Sequence, residues 1–292
     1  MKLLFKFNLV FLVLFVLGIA VSGYFSWNLL QRNAREEIAE NARLMMANAL
    51  AVRAYTVGQI KPLLDTQLKY TFLPQTVPAY AATEVASALH KKYPDYDYKE
   101  AMLNPTNPRD RAVDWEADVI NQFRNGRANN GEIMDTRQTP GGGGSLFLAH
   151  PLKITDPQCL VCHSTVEIAP RTMVDKYGPA NGFGWNLNEI VGAQIVSVPT
   201  TVPLARAELA FRTFMISLAG VLVGIGVLLN LLLYWMFIRP VTRISKLADR
   251  VSLGELDAPD LNVRTRDEIQ TLAESLARMR KSMAQALQLL GG

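Results

Sequence analysis

The chain has 292 residues, 49% of them hydrophobic and 19% charged. That charged share lies below the roughly 25% of ordinary soluble domains, and the apolar content excludes a wholly disordered chain. Thirty Lys and Arg against 26 Asp and Glu leave a net charge of +4 with no basic stripe, which excludes nucleic acid as a partner, and two cysteines exclude a multi-disulfide scaffold.

Residues 7–31 carry no charge and include the run Leu9 to Val21. A helix rising 1.5 Å per residue over that length crosses the ~30 Å of a bilayer core. Lys2, Lys6, the apolar run and Ala20-Val21-Ser22 also fit a cleaved signal peptide. The apolar stretch continues through Tyr24, Phe25 and Trp27, which favours an uncleaved anchor over residues 1–30.

Residues 31–70 predict a helix that continues from this span. A stripe runs Met46, Leu50, Arg53, Val57, Ile60, Leu64, apolar except for Arg53. A Pro- and Tyr-punctuated region follows from Phe72 to Tyr98, then a turn at Asn104 to Pro108, then a second helix around Asp114 to Arg124. Thr139-Pro140 and Gly141 to Gly144 predict a hairpin turn or loop. Ser145 to Ile154 alternates, with Leu146, Leu148, His150, Leu152 and Ile154 on one face, and Val191 to Val198 predicts another strand. Helices followed by an antiparallel sheet indicate an α+β, sensor-like domain over residues 31–210.

Between those strands sits Cys159-Leu160-Val161-Cys162-His163, which holds both cysteines of the chain. Two thiols three residues apart can each bond one vinyl group of a single haem, with the adjacent histidine under the iron as axial ligand. The competing readings are a redox disulfide, which has no need of His163, a structural disulfide, and a zinc site, for which His90 and His150 lack finger spacing. The sixth iron ligand stays open among Met46 on the helix stripe, Met45 beside it, His150 on the strand, and water. Arg53 and Lys153 are candidate haem-propionate partners, as is His150. No Ser/His/Asp triad, phosphate-binding glycine loop or HExxH motif is present, and no pair of carboxylates stands out for acid–base work; an enzyme is not expected.

Residues 213–238 form the second uncharged stretch, with Gly220 and Gly224 as a small-xxx-small pair. Lys2 and Lys6 precede the first span, and Arg239, Arg243, Lys246 and Arg250 follow the second. The positive-inside rule therefore places both termini in the cytoplasm and residues 31–210 in the bacterial periplasm, as a two-pass inner-membrane protein. Val241, Ile244, Leu247/Ala248 and Val251 make one apolar seam, and Ile269, Leu272, Leu276, Met279 and Met283 a second. Two such short helices bury their seams in a dimer, as a four-helix bundle.

With Pro240 just past the second span, Gly254-Glu255-Leu256 at the turn and Asp267-Glu268-Ile269 opening the second helix, residues 239–292 resemble a HAMP linker. The chain ends at Gly292, and no kinase, cyclase or methyl-accepting module is expected after it. The region around CLVCH, about residues 45–205, resembles a family of periplasmic c-type haem sensor domains with a PAS-like fold. The supporting stretches are Arg53 to Thr56, Phe72 to Pro74 with Val77 to Tyr80, Leu103 to Asp110, Thr139 to Gly142, and Asn181 to Trp185. The resemblance implies one covalent haem c, held by Cys159 and Cys162 with His163 on the iron. It also implies a distal ligand that is Cys or Met from the N-terminal helix, or water; with no third cysteine, Met46 or Met45 are the side-chain candidates.

The expected function is a homodimeric membrane haem sensor, answering redox state or a small diatomic ligand and passing its signal to a separate cytoplasmic protein. The alternatives are a membrane-anchored electron carrier and a receptor for another periplasmic ligand in which haem is structural.

Overall fold

The computed structural model describes residues 3–128, 131–139, 142–255, 257 and 267–290. The chain divides into two compact units, Trp27–Ala210 and Met1–Ser26 with Phe211–Gly292.

The first of these is built on a four-stranded antiparallel sheet, β1 (Asp97–Met102), β2 (Ile133–Gln138), β3 (Gly144–Lys153) and β4 (Ile190–Pro199), in the order β1-β4-β3-β2. Its helices are the later part of α1 (Leu3–Tyr55), a π-helical segment Thr56–Ile60, α2 (Lys61–Leu68), α3 (Pro78–Lys92), α4 (Asp114–Arg124), α5 (Leu160–His163) and α6 (Arg171–Tyr177). Both faces of the inner strands are covered. On one face Ile38, Ala42, Met46 and Ala49 of α1 and Ala82 of α3 pack on Tyr98, Leu148, Val196 and Val198. On the other, Val119, Ile120 and Phe123 of α4 pack on Ala101, Phe147, Ala149, Ala193 and Ile195. Two-sided burial explains why Phe147 and Ala149 lie inside as fully as Leu148 does.

The predicted stripe of the N-terminal helix needs correction. The buried line is Ala34, Ile38, Ala42, Met46, Ala49 and Thr56, while Leu50 and Val57 are exposed. The π-helical turn at Thr56–Ile60 shifts the phase of the residues after it. The Pro- and Tyr-punctuated region from Phe72 to Tyr98, to which the sequence analysis assigns no element, contains α3 and the start of β1. Strand β2 and helices α5 and α6 were not anticipated. Pro140 and Gly141 of the predicted hairpin turn lie outside the described residues; Thr139 Oγ1 donates to the Gly143 carbonyl across it at 2.9 Å.

The other unit holds two apolar helical stretches, within Leu4–Leu68 and Thr201–Ser252, each long and apolar enough to cross a membrane. Helix α7 (Thr201–Leu233) ends in a π-helical segment, Tyr234–Ile238. The two stretches approach at Gly23, where an added Cβ would stand 3.3 Å from Met215 Cε, and at Gly226, where it would stand 3.4 Å from Phe15. Gly220 and Gly224 face open space in this chain. Asn230 Nδ2 donates to Asn8 Oδ1 at 2.7 Å.

Helices α8 (Arg239–Ser252) and α9 (Glu268–Leu290) pair through Ile244, Leu247, Ala248, Ile269, Ala273 and Leu276. Asp267 caps α9, its Oδ1 accepting from the Ile269 and Gln270 amides. Gly254 takes a positive φ of 96° just past α8. Leu272, Met279 and Met283, placed on the predicted seam, are exposed; the contact within one chain uses Ala273 instead. Leu256 and most of the expected connector to Arg266 lie outside the described residues.

Candidate haem-attachment site

Lys153 ends β3, and the chain descends through Pro157–Cys159 into the single turn of α5. Asp156 starts this turn by accepting from the Gln158 amide at 2.8 Å. One helical turn carries Cys159, Cys162 and His163, so the two sulfurs and the imidazole share one face. Both thiols are free and half-buried.

His163 is held from two directions. Its Nδ1 lies 2.7 Å from the Gly182 carbonyl, to which it donates, and 3.4 Å from Thr106 Oγ1. Its ring stacks on Trp185, with centroids 3.9 Å apart and planes 14° from parallel. The chain is pinned there too: the Gly184 amide donates to Ser164 O at 2.8 Å and the Trp185 amide to His163 O at 3.1 Å. With the proton on Nδ1, Nε2 carries the lone pair. An imidazole whose second nitrogen is fixed by a carbonyl has the form of a metal ligand.

Gly182 is tightly placed. Its φ is +84°, and an added Cβ would stand 2.8 Å from Thr106 Cα. The loop bearing Thr106 and the loop bearing Gly182 therefore touch backbone to side chain, and Arg111 Nη2 to Asn181 Oδ1 at 3.2 Å ties them again. In the sequence these stretches mark only a shared fold. The structure shows that Thr106, Gly182 and Trp185 form the cradle of His163.

Burial pushes both thiols up. Asp156 adds to the effect at Cys159, while Arg53 and Lys61 oppose it. At Cys162, Lys61 opposes and Cys159 adds. Thiols held neutral are poor redox nucleophiles, which weighs against the redox-disulfide reading. Burial likewise lowers His163, with the Gly182 carbonyl opposing, and so keeps the imidazole neutral for ligation. Free thiols at the right spacing, beside a neutral and oriented imidazole, fit a covalent haem.

The other candidates have the following surroundings. Met46 is 1% exposed in the helix–sheet core against Leu148 and Val196, and Met45 packs on the same cluster. His150 sits on β3 with Nε2 3.6 Å from Glu132. Lys153 ends β3, exposed. His90 Nδ1 faces the Tyr96 carbonyl. Arg53 pairs with Glu100 of β1. Lys61 Nζ lies 3.5 Å from Gln158 Oε1, so α2 runs beside the attachment turn. Phe72, after α2, meets Tyr177 of α6 edge to face at 5.8 Å.

Asp110 closes the loop that carries Thr106. Burial pushes its carboxyl up to about 6, with Arg109 opposing, Glu100 adding and Lys99 opposing. A raised acid favours the fold below its unfolded value, and that contribution is lost as pH rises through about 6. Asp110→Asn should therefore be more stable than the native protein at pH ~8, by less than about 2 kcal/mol after solvent screening. The difference should vanish near pH ~4. Thermal unfolding at both pH values checks this, and an equal gain at both contradicts it.

Comparison with known proteins places residues 31–199 in a Tll0287-like family match and residues 232–285 in a HAMP domain. Two candidate membrane helices with a HAMP domain fit a membrane protein. A solved structure described as the cyanobacterial heme-protein Tll0287 is similar at 17% identity, with a TM-score of 0.42, over 56% of this chain and 95% of that one. No curated protein matches the chain.

Proposed function

The chain belongs to the Tll0287-like family, and on that footing we propose that it is a membrane-bound c-type haem sensor. In this reading Cys159 and Cys162 hold one haem through thioether bonds and His163 is the axial ligand of its iron. The observation that carries it is the His163 cradle: Nδ1 fixed by Gly182, the ring stacked on Trp185, and two free thiols on the same helical turn. The bound haem supplies a one-electron redox centre and a coordination position for a small diatomic ligand. Met46 and Met45 are packed in apolar core and His150 faces Glu132. The reading therefore assigns His163 as the protein residue that would hold the iron.

The domain is read as PAS-like and periplasmic, with both termini cytoplasmic in a bacterial inner membrane. Helix α1 is unbroken from Leu3 to Tyr55, and α7 begins two residues after β4 ends. The α8–α9 pair, dimerised through the exposed Leu272, Met279 and Met283 with a second copy, would hold two packings that a shift of these helices biases. A separate cytoplasmic protein reads the result. No catalytic turnover is part of the proposal.

The test uses the full chain in membranes. Leu272→Cys and Met279→Cys, made singly, are treated with a non-reducible bis-maleimide in the ferric, ferrous and CO-treated states. A sensor should give cross-linking yields that differ by state at one or both positions. Identical yields in all states favour the electron carrier.

A further inference from the structure

An amide side chain in hydrocarbon has no water to meet its hydrogen bonds, so asparagine is costly inside a membrane stretch unless another group satisfies it. One asparagine from each apolar stretch lies at a common level. Asn8 stands two residues after Lys6. Asn230 stands one turn, about 6 Å, before Tyr234 and Trp235, residues of the kind that mark a membrane interface. The two side chains meet. Asn230 Nδ2 donates to Asn8 Oδ1 at 2.7 Å and to the Gly226 carbonyl, one turn back, at 2.9 Å.

The pair is not fully satisfied. Both amide protons of Asn230 are used, but Asn230 Oδ1 and the protons of Asn8 Nδ2 enter no hydrogen bond among the described residues. Asn8 is exposed on this helix pair and Asn230 is half-buried. What is left over is a donor group on the first helix and an acceptor on the second. A second copy of the chain, related by a two-fold axis, offers the same two groups in reverse order, so one contact satisfies both copies. A lipid ester carbonyl supplies only an acceptor and leaves Asn230 Oδ1 unmet. Leu4, Val223, Val227, Leu231 and Tyr234 line an apolar groove together with Asn230, a surface on which a second copy can pack around the polar groups. The same compact unit also carries α9, where Leu272, Met279 and Met283 stand exposed.

We propose that Asn8 and Asn230 form the intramembrane contact of a homodimer, a closed ring of four asparagines in which Asn8 Nδ2 of each copy donates to Asn230 Oδ1 of the other. The inference deepens the dimer proposed above for α8 and α9, and it does not depend on the haem. The ring ties both membrane helices of both copies at one level. A helix that slides along its neighbour must break these bonds, so the ring sets the register of the dimer in the membrane.

The test uses the full chain in phospholipid vesicles, with donor and acceptor fluorophores on the C-termini of separate copies and dimerisation followed by energy transfer as lipid is added. Asn8→Leu and Asn230→Leu each remove both symmetry-related bonds, and each should weaken dimerisation by about tenfold. Val10→Leu, at an exposed apolar position of the same helix, should stay within about threefold of wild type. A second measurement separates contact between copies from contact within one chain. Asn8→Cys and Asn230→Cys chains carrying tags of different size are co-expressed and oxidised. A disulfide adduct of one chain of each size, joined through positions 8 and 230 by peptide mass spectrometry, is expected. Unchanged dimerisation in either leucine variant, or a dimer that gives no such adduct, overturns the proposal and leaves lipid or water as the partner of the pair. A wild type that stays monomeric at every dilution overturns the α8–α9 dimer and this contact together. Energy transfer that is lost in Leu272→Asp but kept in Asn8→Leu overturns this contact alone.

Discussion

Cys159→Ala/Cys162→Ala should abolish covalent haem completely: the full-length polypeptide is expected to run unstained for haem on a denaturing gel. The two thiols are the chain's whole complement of cysteine, so nothing else can form a thioether. They sit on one turn, three residues apart, and each bonds one vinyl group; either single variant should keep a weakened stain through the remaining bond. The fold should survive the double change. Neither cysteine belongs to the core clusters that hold α1, α3 and α4 on the sheet. Far-UV circular dichroism of the unstained variant should match that of apo wild type. A stain that survives the double variant contradicts attachment through these residues.

Gly182→Ala should be the most damaging single substitution outside the CxxCH turn. Two effects combine. The positive φ of 84° is one that alanine adopts at a cost, and the added Cβ would stand inside contact distance of the Thr106 backbone. Either effect alone costs on the order of 1–3 kcal/mol, and together they call for roughly 2–5 kcal/mol of lost stability. The functional damage is more specific. Moving Gly182 withdraws the carbonyl that fixes His163 Nδ1, so the imidazole loses its orientation. The holo-protein should show a mixture of ligation states in its optical spectrum, while keeping its covalent stain. Thr106→Ala, which removes only the longer 3.4 Å contact, should perturb the spectrum far less. A Gly182→Ala spectrum identical to wild type would show that the carbonyl does not position the ligand.

Which parts of this architecture can be read from the chain follows from how each is stabilised. The two apolar stretches and the attachment motif declare themselves because their chemistry is local. Strands β3 and β4 are legible because their burial repeats along the chain. Strand β1 is not: Asp97 to Met102 reads as a charged coil. Two of its charges are neutralised by partners far along the sequence, Glu100 by Arg53 and Lys99 by Glu116 at 2.7 Å. Strand β2 is an edge, with Asp135, Thr136 and Gln138 exposed. Helix α1 is legible as a helix but only partly in its facing: Ile38 and Met46 pack inward among alanines, while Leu44 and Leu50, of similar size, are exposed.

The site divides in the same way. Cys159, Cys162 and His163 are contiguous and carry a spacing with one strong chemical reading. The cradle is assembled from Thr106, 57 residues before His163, and Gly182, 19 after it. No periodicity joins such loops, and only the fold brings them to the imidazole. The same holds for Arg53: a basic residue on an otherwise apolar stripe is visible in the sequence, but its buried partner Glu100 is not.

Intact mass spectrometry of the purified wild-type chain, expressed with a cytochrome-maturation system and denatured before injection, tests the account most directly. The mass should exceed that of the polypeptide by one haem, and tandem fragmentation should place the addition between Cys159 and Cys162. A bare polypeptide mass, or pigment that leaves with acidified solvent, contradicts it.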